Sequence, residues 1–240
     1  MVDVPSKTHH RNTEVAQRSL RTRTFEAKPF EVTLLVYLID NTIDGQGASP
    51  REIRAVLGRL IPGLEILIEP FQNVSLERVR SLRPSHIILS GQSHPWEMYT
   101  PESLGGVFSV IKQASQPILG VCGGHQQIAI AYGAKVGLMG RLEPGEGYNG
   151  AKRERAFLPI QNTGEGLFKD LPSEITVWHN HCDEVKELPD GFRATASNET
   201  CRIQAMQQKG RRLYGVQFHP ELFDEQHPEG RRIVENFLKL

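Results

Sequence analysis

Apolar residues recur along this chain in short runs separated by amphipathic stretches, and the period within each run predicts an element. Val32 to Ile39, Leu64 to Ile68 and His86 to Leu89 are runs of strand length, while Ser49 to Leu60 and Leu76 to Leu82 place apolar residues at helical spacing. Pro50, with Ser49 before it and Glu52 three residues after that serine, predicts a helix capped by Ser49. Leu104 to Ala114 reads as another helix and leads into an apolar run from Ile118 to Val121. Alternation of this kind predicts a mostly parallel sheet with helices on both faces and ligand sites beyond the carboxyl ends of the strands.

After Lys135 the pattern changes. Strand-like runs at Phe157 to Ile160, Ile175 to Trp178, Phe192 to Thr195 and Ile203 to Gln207 are separated by Asn162-Thr163-Gly164, Pro189-Asp190-Gly191 and Lys209-Gly210. Turn chemistry at this spacing predicts an antiparallel sheet. The chain then returns through Leu213 to Phe218 and closes with a helix from Gly230 to Leu240.

The chemistry concentrates where the Ile118 to Val121 run stops, at Cys122-Gly123-Gly124-His125-Gln126-Gln127. Good helix formers from Gln126 to Tyr132 and a glycine at 133 predict a helix there, which puts Cys122 at a sharp strand-to-helix turn. Gly120, Gly123 and Gly124 leave room for that turn, as in a nucleophile elbow. A cysteine ending a buried strand is ordinarily just a small hydrophobe, so a base is needed to make it a nucleophile. Gly215-Val216-Gln217-Phe218-His219-Pro220-Glu221 supplies one: a second apolar strand ending in a histidine, with a carboxylate two residues on. Cys122, His219 and Glu221 thereby fill the roles of nucleophile, base and orienting acid.

Composition narrows the setting. A chain of 240 residues with 38% hydrophobic content suits one α/β domain, and 28 basic against 28 acidic residues leave no global field for nucleic acid or an anionic membrane. Three irregularly spaced cysteines suit a reducing compartment, and neither a signal peptide nor a membrane span is visible, so a cytoplasmic protein is expected. Residues 1–29, with six basic side chains between Lys7 and Lys28, lack hydrophobic periodicity and read as a flexible extension ahead of a domain spanning 30–240.

Gly-Val-Cys-Gly-Gly-His-Gln together with Gln-Phe-His-Pro-Glu resembles the glutaminase domain of class I, or triad, glutamine amidotransferases. Leu38-Ile39-Asp40-Asn41 is similar to that family's first strand and Ile87-Ile88-Leu89-Ser90-Gly91 to its oxyanion segment. Trp178-His179-Asn180-His181-Cys182-Asp183-Glu184-Val185 resembles the Ser-His-x-Asp-x-Val stretch of GMP synthetase glutaminases. The resemblance implies a flavodoxin-like α/β fold with a smaller antiparallel sheet, and attack of Cys122 on the side-chain amide of L-glutamine. Ammonia would pass from that reaction, which leaves a γ-glutamyl thioester, to an acceptor on a separate synthetase subunit, since no phosphate-binding loop of the Walker type is present in this chain. A γ-glutamyl hydrolase or transferase acting on conjugates, and a non-catalytic module of the same fold, are the alternatives.

The same resemblance assigns the remaining site residues. Gly123 supplies one oxyanion donor, and the second comes from the loop at Gly91 and Gln92, where many relatives carry a glycine at the position of Gln92. A glutamine resists positive φ, so either Gly91 absorbs the geometry or the hole forms only in an activated state, and Gln92→Gly is then expected to raise the isolated rate. Gln126 is expected to contact the substrate, and the backbone near Cys182 and Asp183 to hold its amino-acid end. His125 reads as structural, and Trp96 and Tyr99 as candidate pocket walls. No cofactor is implied. His179 and His181 share a strand face from which Cys182 points away, which does not amount to a structural metal site.

Overall fold

The structure is a computed structural model, and it describes residues 1–3, 34–140 and 150–240. Of the extension expected over 1–29, residues 4–29 lie outside the described residues, as does the start of the first strand before Leu34.

Eleven strands and five α-helices follow in order among the described residues: β1 (Leu35–Asp40), α1 (Ala48–Leu60), β2 (Glu65–Pro70), α2 (Leu76–Leu82), β3 (His86–Leu89), α3 (Pro101–Gln113), β4 (Ile118–Val121), α4 (Gly123–Ala131), β5 (Val136–Leu138), β6 (Glu154–Asn162), β7 (Glu174–His181), β8 (Asp183–Val185), β9 (Phe192–Ser197), β10 (Ala205–Gln208), β11 (Leu213–Val216) and α5 (Glu229–Leu238). Nine strands form one sheet in the order β2-β1-β3-β4-β11-β10-β9-β6-β7. The pairings from β2 to β11 are parallel and those from β11 to β7 antiparallel, so the chain's second half extends the sheet that the first half begins. A separate antiparallel pair, β5 with β8, completes the strands.

Burial follows the strand period. Val36 and Leu38 of β1 join a cluster with Ile53, Val56 and Leu57 of α1 and Ile233, Val234 and Phe237 of α5. Tyr37 and Ile39 point the other way, into a cluster with Val79 of α2, Val107 and Ile111 of α3 and Ile128 of α4. Alternate residues of a central strand therefore serve opposite helical layers, which is why β3 and β4 are buried along their whole length. Among the described residues no helix is long and apolar enough to cross a membrane.

One local expectation is corrected here. Helix α1 begins at Ala48 and makes no side-chain cap at its N-cap residue, Gly47; Ser49 sits inside the first turn with its hydroxyl directed elsewhere.

Candidate active site

Strands β3, β4 and β11 lie side by side, and their carboxyl ends deliver Ser90-Gly91, Cys122 and the loop carrying His219 to one rim of the sheet. The elbow is tight because three neighbours demand glycine. A Cβ on Gly120 would come 2.4 Å from the carbonyl oxygen of Gly124, one on Gly124 2.4 Å from that of Leu89, and one on Gly123 2.8 Å from the backbone nitrogen of Gln92. The unusual dihedral falls on Cys122 itself, at φ 49° and ψ −101°. Such a conformation costs a non-glycine residue about 1–3 kcal/mol. It is held by the Cys122 N–H donating to the carbonyl of Val216 (2.8 Å) and by the Gln126 N–H donating to the carbonyl of Cys122 (3.1 Å).

His219 is fixed on both sides. Its backbone N–H donates to the carbonyl of Trp178 (2.8 Å), tying the loop after β11 to β7, and its Nδ1 lies 2.9 Å from Glu221 Oε1. With Nδ1 committed, the interaction with Cys122 falls to Nε2, which is buried and has no other partner among the described residues. Burial disfavours the imidazolium, but Glu221 and Cys122 outweigh it and hold the His219 pKa well above its ordinary value. The structure thus brings Cys122, His219 and Glu221 together.

The oxyanion loop departs from expectation. Neither Gly91 nor Gln92 has positive φ, so the loop makes its turn with ordinary backbone geometry. The Gly91 N–H is engaged at 3.0 Å by Ser49 Oγ, which removes it as a free donor. Gln92 presents its backbone nitrogen against Gly123, the first residue of α4, whose own N–H has no partner within the helix. Gly123 and Gln92 are therefore the two backbone nitrogens that this geometry brings together beside Cys122.

A cavity of about 430 Å³ opens over Cys122, lined by Gln92 to Pro95, Gln126, Arg153 and Asn180 to Asp183. Cys182 and Asp183 stand in its wall. Gln126 lines it too, and its carboxamide is held by the protein: Oε1 accepts from Trp96 Nε1 (2.8 Å), and Nε2 donates to the carbonyl of Asp183 (3.1 Å) and to Gln217 Oε1 (3.0 Å). Gln217 Nε2 in turn reaches Cys122 Sγ at 3.7 Å. Trp96 supports Gln126 from behind the lining, and Tyr99 is buried with its hydroxyl on the carbonyl of Asn41 (2.7 Å). His125 is fully buried, and burial pushes its pKa down to about 3, in keeping with a structural role.

A larger cleft of about 560 Å³ lies between β6 and the 197–200 loop, lined by neither a thiol nor an imidazole. Beside it is a second polar cluster, in which Glu154 meets His179 Nδ1 at 2.9 Å and His181 Nε2 at 2.7 Å. The ligand atoms of these three residues fall within 4.8 Å of one another. Both carboxylate oxygens are nonetheless taken by donors, with Gln204 also on Oε2 and Asn198 and Thr200 on Oε1. That coordination describes a hydrogen-bonded anion. Burial would raise the Glu154 pKa, but its donors reverse this and hold it well below the usual carboxylate range.

Sequence reading missed Ser49, Gln217 and Glu154. Ser49 carried a signal of the wrong kind, a capping pattern. Glu154 was findable only through its register opposite His181.

An elbow cysteine, a histidine–carboxylate pair and a doubly wound sheet define a thiol-dependent α/β enzyme class. The family model for glutamine amidotransferase class-I matches residues 59–240, and the chain belongs to that family. Among curated relatives it is similar to a glutamine-hydrolyzing GMP synthase subunit of Pyrococcus abyssi, 38% identical over 182 residues, covering 74% of this chain and 86% of that one. The corresponding GMP synthase subunit of Thermoplasma acidophilum is 36% identical over 205 residues, covering 85% and 92%. A solved structure of a GMP synthase subunit protein from Thermoplasma acidophilum superposes with TM-score 0.71 at 33% identity, covering 86% of this chain and 93% of that one. A glutamine amidotransferase from Thermotoga maritima, at 18% identity and TM-score 0.65, shares the fold, covering 87% of this chain and 99% of its own.

Proposed function

We propose that this protein is the glutamine-hydrolysing component of a two-subunit amidotransferase of the GMP synthase type, feeding ammonia to a synthetase carried on another chain. The observation that carries the reading is the arrangement at the cavity floor: Cys122 on a strained elbow, with a His219–Glu221 pair at 2.9 Å next to it.

In this reading His219 Nε2 takes the Cys122 proton, and Sγ attacks the side-chain carbonyl carbon of glutamine. The tetrahedral oxyanion accepts hydrogen bonds from the backbone N–H groups of Gly123 and Gln92, each donor worth about 3–4 kcal/mol. His219 then protonates the amide nitrogen, the C–N bond breaks and ammonia leaves, with a γ-glutamyl thioester on Cys122. Water, deprotonated by the same imidazole, cleaves the thioester to glutamate. Glu221 keeps the His219 tautomer and stabilises its cation throughout.

The test is release of ammonia and glutamate from glutamine, alone and with the synthetase of the same cells. Stoichiometric release that disappears in Cys122→Ala supports the reading. No release with the synthetase present, while Cys122 still reacts with an alkylating reagent, overturns it, and faster turnover of γ-glutamyl conjugates than of glutamine replaces it with a hydrolase.

A further inference from the structure

Ser49 is separated from Glu221 by 172 positions, yet its Oγ lies 3.2 Å from Glu221 Oε1, the oxygen that also receives His219 Nδ1. The same Oγ accepts the N–H of Gly91 at 3.0 Å. A hydroxyl has one proton and two lone pairs, so it can donate to the carboxylate and accept from the loop at once. The contact is close on every side: a Cβ on Gly91 would stand 3.2 Å from both His219 Cε1 and Ser49 Oγ. Glu221 Oε2 is buried with no partner among the described residues, leaving Oε1, shared by Ser49 and His219, as the oxygen through which the carboxylate is held.

We propose that Ser49 is a positioning residue that couples the orienting acid Glu221 to the oxyanion loop, so that the base and the Gln92 donor are held in one geometry. This rests on the glutaminase reading of the site and adds a residue to it. Two consequences follow from removing the hydroxyl. Gly91 loses its acceptor, so the loop that presents the Gln92 N–H is no longer tied down. Glu221 loses a neutral donor, becomes a stronger acceptor for His219, and stabilises the imidazolium further. Among the described residues, the groups that act on His219 include Glu221 on its own loop, Cys122 at the elbow, Glu52 from α1, and His179 from β7. Of these, Ser49→Ala changes direct hydrogen bonding only at Glu221.

The experiment pairs kinetics with an NMR titration of the His219 ring in the full-length protein. Ser49→Ala is expected to lower kcat for glutamine roughly tenfold to a hundredfold, short of the complete loss of a donor, with KM changed by less than about twofold. It is also expected to move the His219 midpoint to higher pH. A general packing defect would lower thermal stability without moving that midpoint. Wild-type kcat together with an unchanged midpoint overturns the proposal, as does a midpoint that moves down. Should the unsubstituted protein fail to turn over glutamine with its synthetase present, the glutaminase reading falls by itself, and the midpoint still decides whether Ser49 acts on Glu221.

Discussion

Two buried histidine–carboxylate assemblies meet strand β7 in this molecule, and they differ in what they leave open. At Glu154 each carboxylate oxygen is occupied, by His179, His181 and Gln204 on one and Asn198 and Thr200 on the other. His181 has both ring nitrogens in use, Nε2 on Glu154 and Nδ1 on the carbonyl of Asp183 (3.0 Å). At Glu221 only Oε1 is engaged, and His219 keeps Nε2 for Cys122. The Glu154–His181 pair is saturated and can only hold structure; His179 Nε2 in the same cluster is also buried without a partner among the described residues, but His179 does not line the cavity over Cys122. A pair with a free nitrogen beside a thiol can move a proton, and although His181 of the Glu154 cluster also lines the cavity, it is His219 that interacts with Cys122.

The largest effects should separate the two assemblies. His219→Gln is expected to reduce glutamine hydrolysis by about a thousandfold or more, with a smaller loss of thermal stability than at Glu154 because a glutamine amide can still donate to Glu221. Glu154→Ala should act chiefly on stability. Removing one partner from a buried ionic cluster costs about 3–5 kcal/mol of stability, which for a chain of this size lowers Tm by on the order of 6–20 °C. Calorimetry and an ammonia assay on both variants check the pair; equal stability losses would erase the distinction.

A smaller effect sharpens the same contrast through pH. The Glu154 pKa is depressed in the folded state, so its contribution is fully present above the ordinary carboxylate value, about 4.3, and is lost as pH falls below it. Burial also depresses His179, whose neutral form is favoured by folding, so stability falls as the pH drops below about 6.5 towards its lowered folded value. His219 is raised, so its contribution is present below about 6.5 and is lost as pH rises through its elevated folded value. Acid should therefore act on the structural cluster, together with the buried neutral imidazoles His125 and His86, and alkali on the His219–Glu221 pair. Glu154→Gln is expected to flatten the acid limb of Tm against pH, and His219→Gln the alkaline limb.

The smallest expected effect concerns the oxyanion loop. Because Gln92 already presents its nitrogen without positive φ, Gln92→Gly should leave kcat within about threefold, far from the hundredfold or more that a missing donor costs. A large gain would restore the expectation drawn from the sequence, that Gln92 holds the site in a resting state.

Much of this was legible from residue order. The strands and helices of the parallel half were set by apolar period, and Cys122 and His219 were marked because each ends an apolar run, a local signal. What stayed hidden depends on sheet order and register. Ser49 read as a cap because capping is local, whereas its contact with Glu221 exists only once β1 and β11 are placed in one sheet with α1 packed over it. Glu154 carried no local mark, and its role comes from standing opposite His181 in the β6–β7 ladder. Gln126 lines the cavity, and what its position in the sequence does not show is that its carboxamide is held by Trp96 and Gln217, both distant in sequence.

The central claim is that Cys122, served by His219, attacks glutamine. Rapid mixing of the protein with glutamine, an acid quench and peptide mass spectrometry test it most directly. The account predicts one γ-glutamyl group on the peptide containing Cys122, appearing before glutamate accumulates and absent in His219→Gln. Glutamate released with no adduct on Cys122, or an adduct carried by Cys182 instead, would contradict it.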